Sequence, residues 1–246
     1  MKLKIKGISF SYKSEEILKN ISFEIKKGEI VAVLGKNGAG KSTLLKTMAK
    51  MLKAKKGSVF CDSLDLFKLP RKEFVKKLSY VSQKQTSNDL NVFEMLMLGR
   101  RSYFNFRPTK EDFEEVQKVI DKLSLNHIKL KPTKELSGGE LQKVAIARAI
   151  IQKSDIILLD EPTNNLDIKN QIEILKLLKS LKKTAVLVLH DVNLAIRFCD
   201  KLIFMRDGKI LYEGDKSIIT PELINDVYDI EVDICKYEEN PVILPK

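Results

Sequence analysis

Two groups of residues in this 246-residue chain have the types and spacing needed to handle phosphate. The first is Gly35-Lys36-Asn37-Gly38-Ala39-Gly40-Lys41-Ser42, where the glycines let the backbone curl until its N–H groups face inward. Such a curl cradles phosphate oxygens, and a helix opening at its end adds the partial positive charge of its N-terminus. Lys41 brings a full charge to β- and γ-phosphate oxygens, and Ser42 offers a hydroxyl to Mg²⁺. The second group is Asp160-Glu161, at the tip of the apolar run Ile156-Ile157-Leu158-Leu159. Asp160 suits a water-mediated hold on Mg²⁺, and Glu161 is positioned to orient or deprotonate an attacking water. A glycine-rich loop alone is a turn, and an Asp-Glu pair alone is a solvated loop end. Coupled, they imply nucleotide binding beside a metal and a water.

For these groups to meet, the strands that carry them must end side by side. Residues 29–34 are nearly all apolar, as a strand buried on both faces of an α/β sheet must be, and they run directly into Gly35. Residues 156–159, 185–189 and 202–205 repeat that pattern. Further strands are predicted at 5–10 and 21–25, with Lys27-Gly28 as a turn, and at 58–61 and 78–82. Helices are predicted at 42–52, ended around Lys56-Gly57, and at 138–151 and 168–181. From about residue 86 to residue 136 the pattern turns helical. Residues 92–98 and 110–123 carry apolar side chains at three- and four-residue spacing, punctuated by Pro108 and Pro132. With no internal repeat and no Pro/Gly-rich linker, two lobes in one continuous fold follow.

Composition narrows the class. Hydrophobic residues make up 43% and charged residues 31%, the balance of an ordinary soluble globular chain, and no apolar run approaches the roughly 20 residues of a membrane span. Residues 1–6 alternate like a strand, unlike the apolar block of a signal peptide. Cys61, Cys199 and Cys235 are odd in number and lack metal-ligand spacing, which points to a reduced, cytoplasmic chain without disulfides. The 44 Lys+Arg against 33 Asp+Glu leave a net charge of +11, which attracts polyanions. The lysines are spread along the whole chain, however, and no arginine–aromatic cluster marks a base-stacking platform, so no nucleic acid is expected as a partner.

Between the two phosphate-handling groups lies Leu136-Ser137-Gly138-Gly139-Glu140-Leu141-Gln142. Before a helix, Ser-Gly-Gly reads as an N-cap able to accept an anion. In this order and context it resembles the signature motif of ABC-type ATPases, with Glu140 where many members have Gln. The resemblance covers essentially the whole chain. It implies an α/β fold: a P-loop NTPase (RecA-like) core with an antiparallel β subdomain and an inserted α-helical subdomain. Residues 1–246 would form one ABC ATPase domain, with 1–85 and 142–246 as the nucleotide lobe and 86–141 as the helical signature subdomain. The implied ligands are ATP and Mg²⁺. Gly35, Lys36, Asn37, Gly38, Ala39, Gly40, Lys41, Ser42 and Thr43 would bind phosphates, and Tyr12 would stack on adenine. Gln83, after strand 78–82, matches the glutamine that approaches Mg²⁺ with Ser42 and Asp160, and Glu161 and His190 match the catalytic glutamate and switch histidine. Asp167, in Asn165-Leu166-Asp167, matches the loop that meets its twin across a head-to-tail dimer. In the family, Ser137, Gly138 and Gly139 bind the γ-phosphate held by the opposite copy. Since every element is present, a homodimer would have two competent sites. His127 matches nothing in the pattern and reads as surface or packing.

Finer resemblance concerns what such a motor drives. Residues 92–100, Arg107-Pro108-Thr109-Lys110-Glu111-Asp112, the stretch 220–228 and the ending Pro241-Val242-Ile243-Leu244-Pro245 look like the ATPases of iron–siderophore, haem and cobalamin importers. Zinc or manganese importers come next, and a soluble ABC ATPase acting on nucleic acid is the alternative of a different class. An importer reading implies polytopic permease subunits as partners, an external substrate-binding protein reached through them, and a peripheral position on the cytoplasmic face of the cell membrane. The coupling surface is then expected at 90–98, and the net positive charge would favour an anionic leaflet.

Overall fold

The computed structural model describes residues 2–104 and 106–246; Met1 of the strand-like N-terminus and Asn105 of the helical stretch lie outside them. The chain opens with the antiparallel pair β1 (Lys2–Tyr12) and β2 (Glu15–Lys26), followed by β3 (Ile30–Leu34) and α1 (Lys41–Met48). Next come β4 (Lys56–Cys61), β5 (Leu64–Asp65), α2 (Arg71–Lys77) and β6 (Leu78–Val81). The helical stretch holds α3 (Val92–Met97), α4 (Lys110–Lys122) and α5 (Gly138–Ile151). The chain then alternates through β7 (Ile156–Asp160), α6 (Ile168–Ser180), β8 (Thr184–Val188), α7 (Val192–Phe198) and β9 (Lys201–Arg206). It closes with β10 (Lys209–Gly214), α8 (Pro221–Tyr228) and the hairpin β11 (Val232–Tyr237) and β12 (Asn240–Pro245).

Two sheets result. An antiparallel sheet runs β2-β1-β4-β5, and a six-stranded sheet runs β10-β9-β3-β8-β7-β6, parallel except for β10. Every residue of β3, β7 and β8 is buried, because α5 to α8 cover one face of the sheet while α1, α2 and the antiparallel sheet cover the other. This is the expected P-loop NTPase core with its β subdomain. The helical lobe has its own core of Val92, Met95, Leu96, Val116 and Ile120, completed by Val144 and Ala147 of α5. On its other side α5 packs Ala145, Ile146 and Ala149 against the main sheet. The expected seam between residues 141 and 142 therefore falls inside a helix that both lobes share.

Local expectations differ at two places, the end of α1 and the start of β4. Helix α1 stops at Met48, short of residue 52, because Lys50 turns left-handed at φ 56° and its ammonium bonds to the carbonyls of Phe67 and Leu69. Lys56-Gly57 do not end that helix but start β4, paired to β1 through Ser9 opposite Lys56. Sequence reading also passed over α2, β10, α7, α8 and the β11–β12 hairpin.

The helical lobe is pinned by a buried ion pair, Arg100 Nε to Asp112 Oδ1 at 2.8 Å, with each side chain 4% exposed. Asp112 also accepts from the Thr109 amide at 2.9 Å and hydroxyl at 2.8 Å. Burial pushes the Asp112 carboxyl up, but the Thr109 and Arg100 donors outweigh it and hold the group below its usual value. A depressed carboxyl contributes stability that is present above its unfolded pKa and lost as pH falls through the folded one. Asp112→Ala should leave Arg100 buried without its partner and destabilise the chain by about 3–5 kcal/mol. Urea unfolding at pH 7 measures this, and the gap to the parent should narrow below pH 4.

Candidate nucleotide site

The parallel register delivers the site. Asp160, the last residue of β7, pairs with Val188 of β8, which in turn lies beside Val33 of β3. The residues that leave these strands, Gly35, Glu161 and His190, therefore emerge at one edge. Gly35 leaves β3 at φ +139°, and a Cβ there would fall 2.1 Å from the Met205 carbonyl oxygen of β9, so only glycine lets the two strand ends run together. Gly40, at φ +96°, caps α1, whose first turn holds no acidic residue.

Inside the loop Lys41 donates to the carbonyls of Gly35 at 2.7 Å and Lys36 at 2.8 Å. Burial pulls the Lys41 ammonium below its ordinary pKa, opposed by the nearby Glu161 and Asp160 carboxylates. A poorly solvated cation on arched backbone gains much from an arriving phosphate. Ser42 Oγ donates to Asp160 Oδ1 at 2.7 Å, tying α1 to β7. Tyr80 Oη donates to the other oxygen, Asp160 Oδ2, at 2.9 Å. Burial and the adjacent Asp160 charge drive the Tyr80 phenol well above its usual pKa, so it remains a donor.

Glu161 is the centre of the polar network. Its Oε2 accepts from Gln83 Nε2 at 2.5 Å and Asn164 Nδ2 at 2.9 Å, while His190 Nε2 lies 2.9 Å from its Oε1. Its backbone is left-handed at φ +50°, uncommon for a side chain of this size and costing on the order of 1 kcal/mol or more. A cleft of about 270 Å³ is lined by Tyr12, Asn37, Gly38, Gly40, Lys41, Ser42, Thr43 and Glu161, together with Ile17. Tyr12 is half exposed there, its ring set edge-on to Phe10 at 4.7 Å.

Most of the sequence-derived residues thus converge: Tyr12, the loop through Thr43, Gln83, Asp160, Glu161 and His190. Ser137, Gly138 and Gly139 do not line the cleft. Gly139 instead sits against Asn170 of α6, which bonds to Asp167, the cap of that helix, at 2.8 and 3.0 Å. Signature and Asp167 loop form a separate neighbourhood. There Ser137 and Glu140 make a capping box: the Ser137 amide and hydroxyl both donate to Glu140 Oε2, at 2.9 and 2.7 Å. His127 lies beside it, 3.8 Å from Glu140, on the surface. Two polar partners were missed from sequence, Tyr80 and Asn164. Tyr80 had a faint signal, a hydroxyl-bearing ring inside the apolar strand that precedes Gln83.

Comparison with known proteins agrees with this geometry. Residues 18–164 match the ABC transporter family. An uncharacterized ABC transporter ATP-binding protein of Methanocaldococcus jannaschii is 46% identical over 100% of this chain and 98% of its own length. The petrobactin import ATP-binding protein of Bacillus subtilis is 35% identical over 94% of each chain. Among solved structures, an inward-facing ABC transporter assigned to the metal-chelate type has a TM-score of 0.86 at 27% identity, covering 99% of this chain and 96% of its own. A dimeric ATP-binding cassette in a post-hydrolysis state with ADP and Pi has a TM-score of 0.76 at 32% identity, covering 87% and 98%. No helix among the described residues is long and apolar enough to cross a membrane. With its phosphate loop, carboxylates and histidine gathered at one sheet edge and matched along its length, the chain belongs to the ABC transporter family, as one of its ATP-hydrolysing subunits.

Proposed function

We propose that this ATPase powers an importer for iron–siderophore, haem or cobalamin. It would act as a head-to-tail homodimer beneath polytopic permease subunits at the cytoplasmic face of the membrane, fed by an external binding protein. The observation that carries the reading is the arrangement around Glu161: one chain gathers a phosphate cradle and a water-orienting carboxylate, yet its anion-accepting Ser137 cap lies outside that cleft. A second copy would supply the missing cap, a reading supported by likeness to a cassette whose structure is dimeric. The lobe of residues 1–85 and 142–246 then holds nucleotide, and segment 86–141 presents the cap.

In this reading Tyr12 stacks on adenine, and Gly35 to Thr43 bind the phosphates, Lys41 with its full charge. Ser42, Asp160 and Gln83 present oxygens, the donors Mg²⁺ prefers, and the Ser42–Asp160 contact of 2.7 Å brings two of them together. Bound there, Mg²⁺ would neutralise phosphate charge. Glu161 orients the attacking water, with Gln83 and His190 fixing its two oxygens, and His190 reaches towards the γ-phosphate. Asp167 meets its twin across the dimer axis. The cargo class draws on the petrobactin and metal-chelate relatives.

Within the coupling surface expected at 90–98, Val92, Met95 and Leu96 are buried in the helical core, which leaves its exposed end at Leu98 to meet a partner. A groove of about 460 Å³ between α2 and the end of α3, lined by Arg71, Val75, Leu98, Gly99, Ser102 and Gln152, is the better seat for a permease segment.

Lys41→Ala should weaken ATP binding by about 100-fold or more, while Glu161→Gln should bind ATP normally and lose about 10²–10⁴-fold in kcat. Nucleotide titration and phosphate-release kinetics measure both. Chelation by EDTA should stop turnover, and added Mg²⁺ should restore it. A tagged Glu161→Gln chain, pulled from detergent-solubilised native membranes with ATP, should bring down a many-helix permease. Recovery of nucleic acid or of soluble partners alone would overturn the importer reading and leave the ATPase standing.

A further inference from the structure

Helix α8 reaches the start of the phosphate loop without lining the cleft. The Gly35 amide donates to Tyr228 Oη at 3.0 Å, and the Lys36 ammonium pairs with Asp229. Asp229 is also held by Arg206 Nη1 at 2.9 Å, at the end of β9, and Arg206 bonds to the Asp226 carbonyl as well. The first two residues of the loop are thus gripped by the last residue of α8 and the one after it.

These contacts are not what anchors the helix. Leu223, Ile224 and Val227 fix α8 by full burial in the main core, with its Thr220 cap and Pro221 at the first turn. The hairpin beyond it is tied separately to α7, through Asn193 and Ile243 at 2.9 and 3.2 Å. The Tyr228 hydroxyl adds a bond of another kind: it takes up the amide of Gly35, which follows the last residue of β3. Burial pushes the Tyr228 phenol up to about 12, so it stays neutral beside the loop. Asp229 adopts φ +55° at the helix end, a turn that brings its carboxylate back towards Lys36.

We infer that Tyr228 is a positioning residue for ATP hydrolysis, assisted by Asp229. By fixing Gly35 and Lys36 it sets the two carbonyls that hold the Lys41 ammonium, at 2.7 and 2.8 Å, where the β-phosphate must arrive. Tyr228 acts through the loop and does not line the nucleotide cleft. The inference rests on reading Gly35 to Thr43 as the phosphate cradle. A misplaced Lys41 weakens ground-state and transition-state contacts with phosphate alike, so the effect belongs in KM more than in kcat.

The test uses the full-length chain with Tyr228→Phe, which keeps the buried ring, and Asp229→Asn, which suits the left-handed backbone and removes only the charge. Loss of one neutral hydrogen bond should raise KM and Kd for ATP and ADP about 3–10-fold in Tyr228→Phe, with kcat within about 2-fold and unchanged affinity for AMP, which has no β-phosphate. Asp229→Asn should shift the same quantities in the same direction. The thermal midpoint of the nucleotide-free protein should stay close to the parent in both. Unchanged ATP and ADP affinity in Tyr228→Phe, or equal losses for AMP and ATP with a lowered thermal midpoint, would overturn the positioning role. Lys41→Ala, measured in parallel, separates the two readings. If it keeps full nucleotide affinity, the cradle assignment falls and this inference with it; if it loses affinity while Tyr228→Phe does not, the positioning role alone falls.

Discussion

Everything at the site depends on three five-residue strands that expose no side chain. A peptide group buried in β3, β7 or β8 must find its partner within the sheet, since no water reaches it. Parallel pairing meets that need and brings a constraint with it: all three strands must point the same way and end at the same edge. Residues far apart in sequence, Gly35, Glu161 and His190, are thereby brought together without any contact between them having to drive folding. The polar network forms on a platform that the apolar core has already fixed. This is why a left-handed Glu161 is tolerable, since the strands on either side over-determine its place.

The two lobes are joined by α5, which contributes to both hydrophobic clusters. Separating the lobes at that helix would expose either Val144 and Ala147 or Ala145, Ile146 and Ala149. Lys143 of α5 pairs with Glu173 of α6 at 2.6 Å, and Gly139 lies under Asn170, so the Ser137 cap keeps its bearing on the Asp167 loop.

Much of this was readable in the sequence, and the failures have physical causes. Fully apolar runs such as Ile156 to Leu159 identify buried parallel strands because nothing else accommodates them. Glycine spacing identifies the cradle because the Met205 carbonyl admits no Cβ at Gly35. The antiparallel β4 was misjudged at Lys56-Gly57, since its pairing partner, β1, lies some fifty residues earlier. Helix α2 escaped notice because it is short and lysine-rich and buries only Phe74. Helix α8 carries a local start signal, the Thr220 cap followed by Pro221 at the first turn. Tyr80 and Tyr228 were hidden for a different reason. An aromatic ring in a buried element reads as packing, and only coordinates reveal that each hydroxyl ends on a polar group of the site. Within residues 90–98, Val92, Met95 and Leu96 face the core while Leu98 is exposed, a division that sequence does not reveal because apolar spacing is the same whether a helix faces its own core or a partner.

The capping box at Ser137 has a consequence for how such a surface can be used repeatedly. A free helix N-terminus would be an unsatisfied charge, eager for any anion. Here the Ser137 amide and hydroxyl are already held by Glu140, whose carboxyl is kept below its usual value by Ser137 and so remains ionised. A phosphate arriving at the Ser137 hydroxyl would compete with a resident carboxylate, so the event would be an exchange of anions more than a capture. Its net gain would be the difference between two interactions, and its departure would return Ser137 to the capping box. A surface built this way lets go as readily as it takes hold, a property that suits cyclic work better than tight binding would.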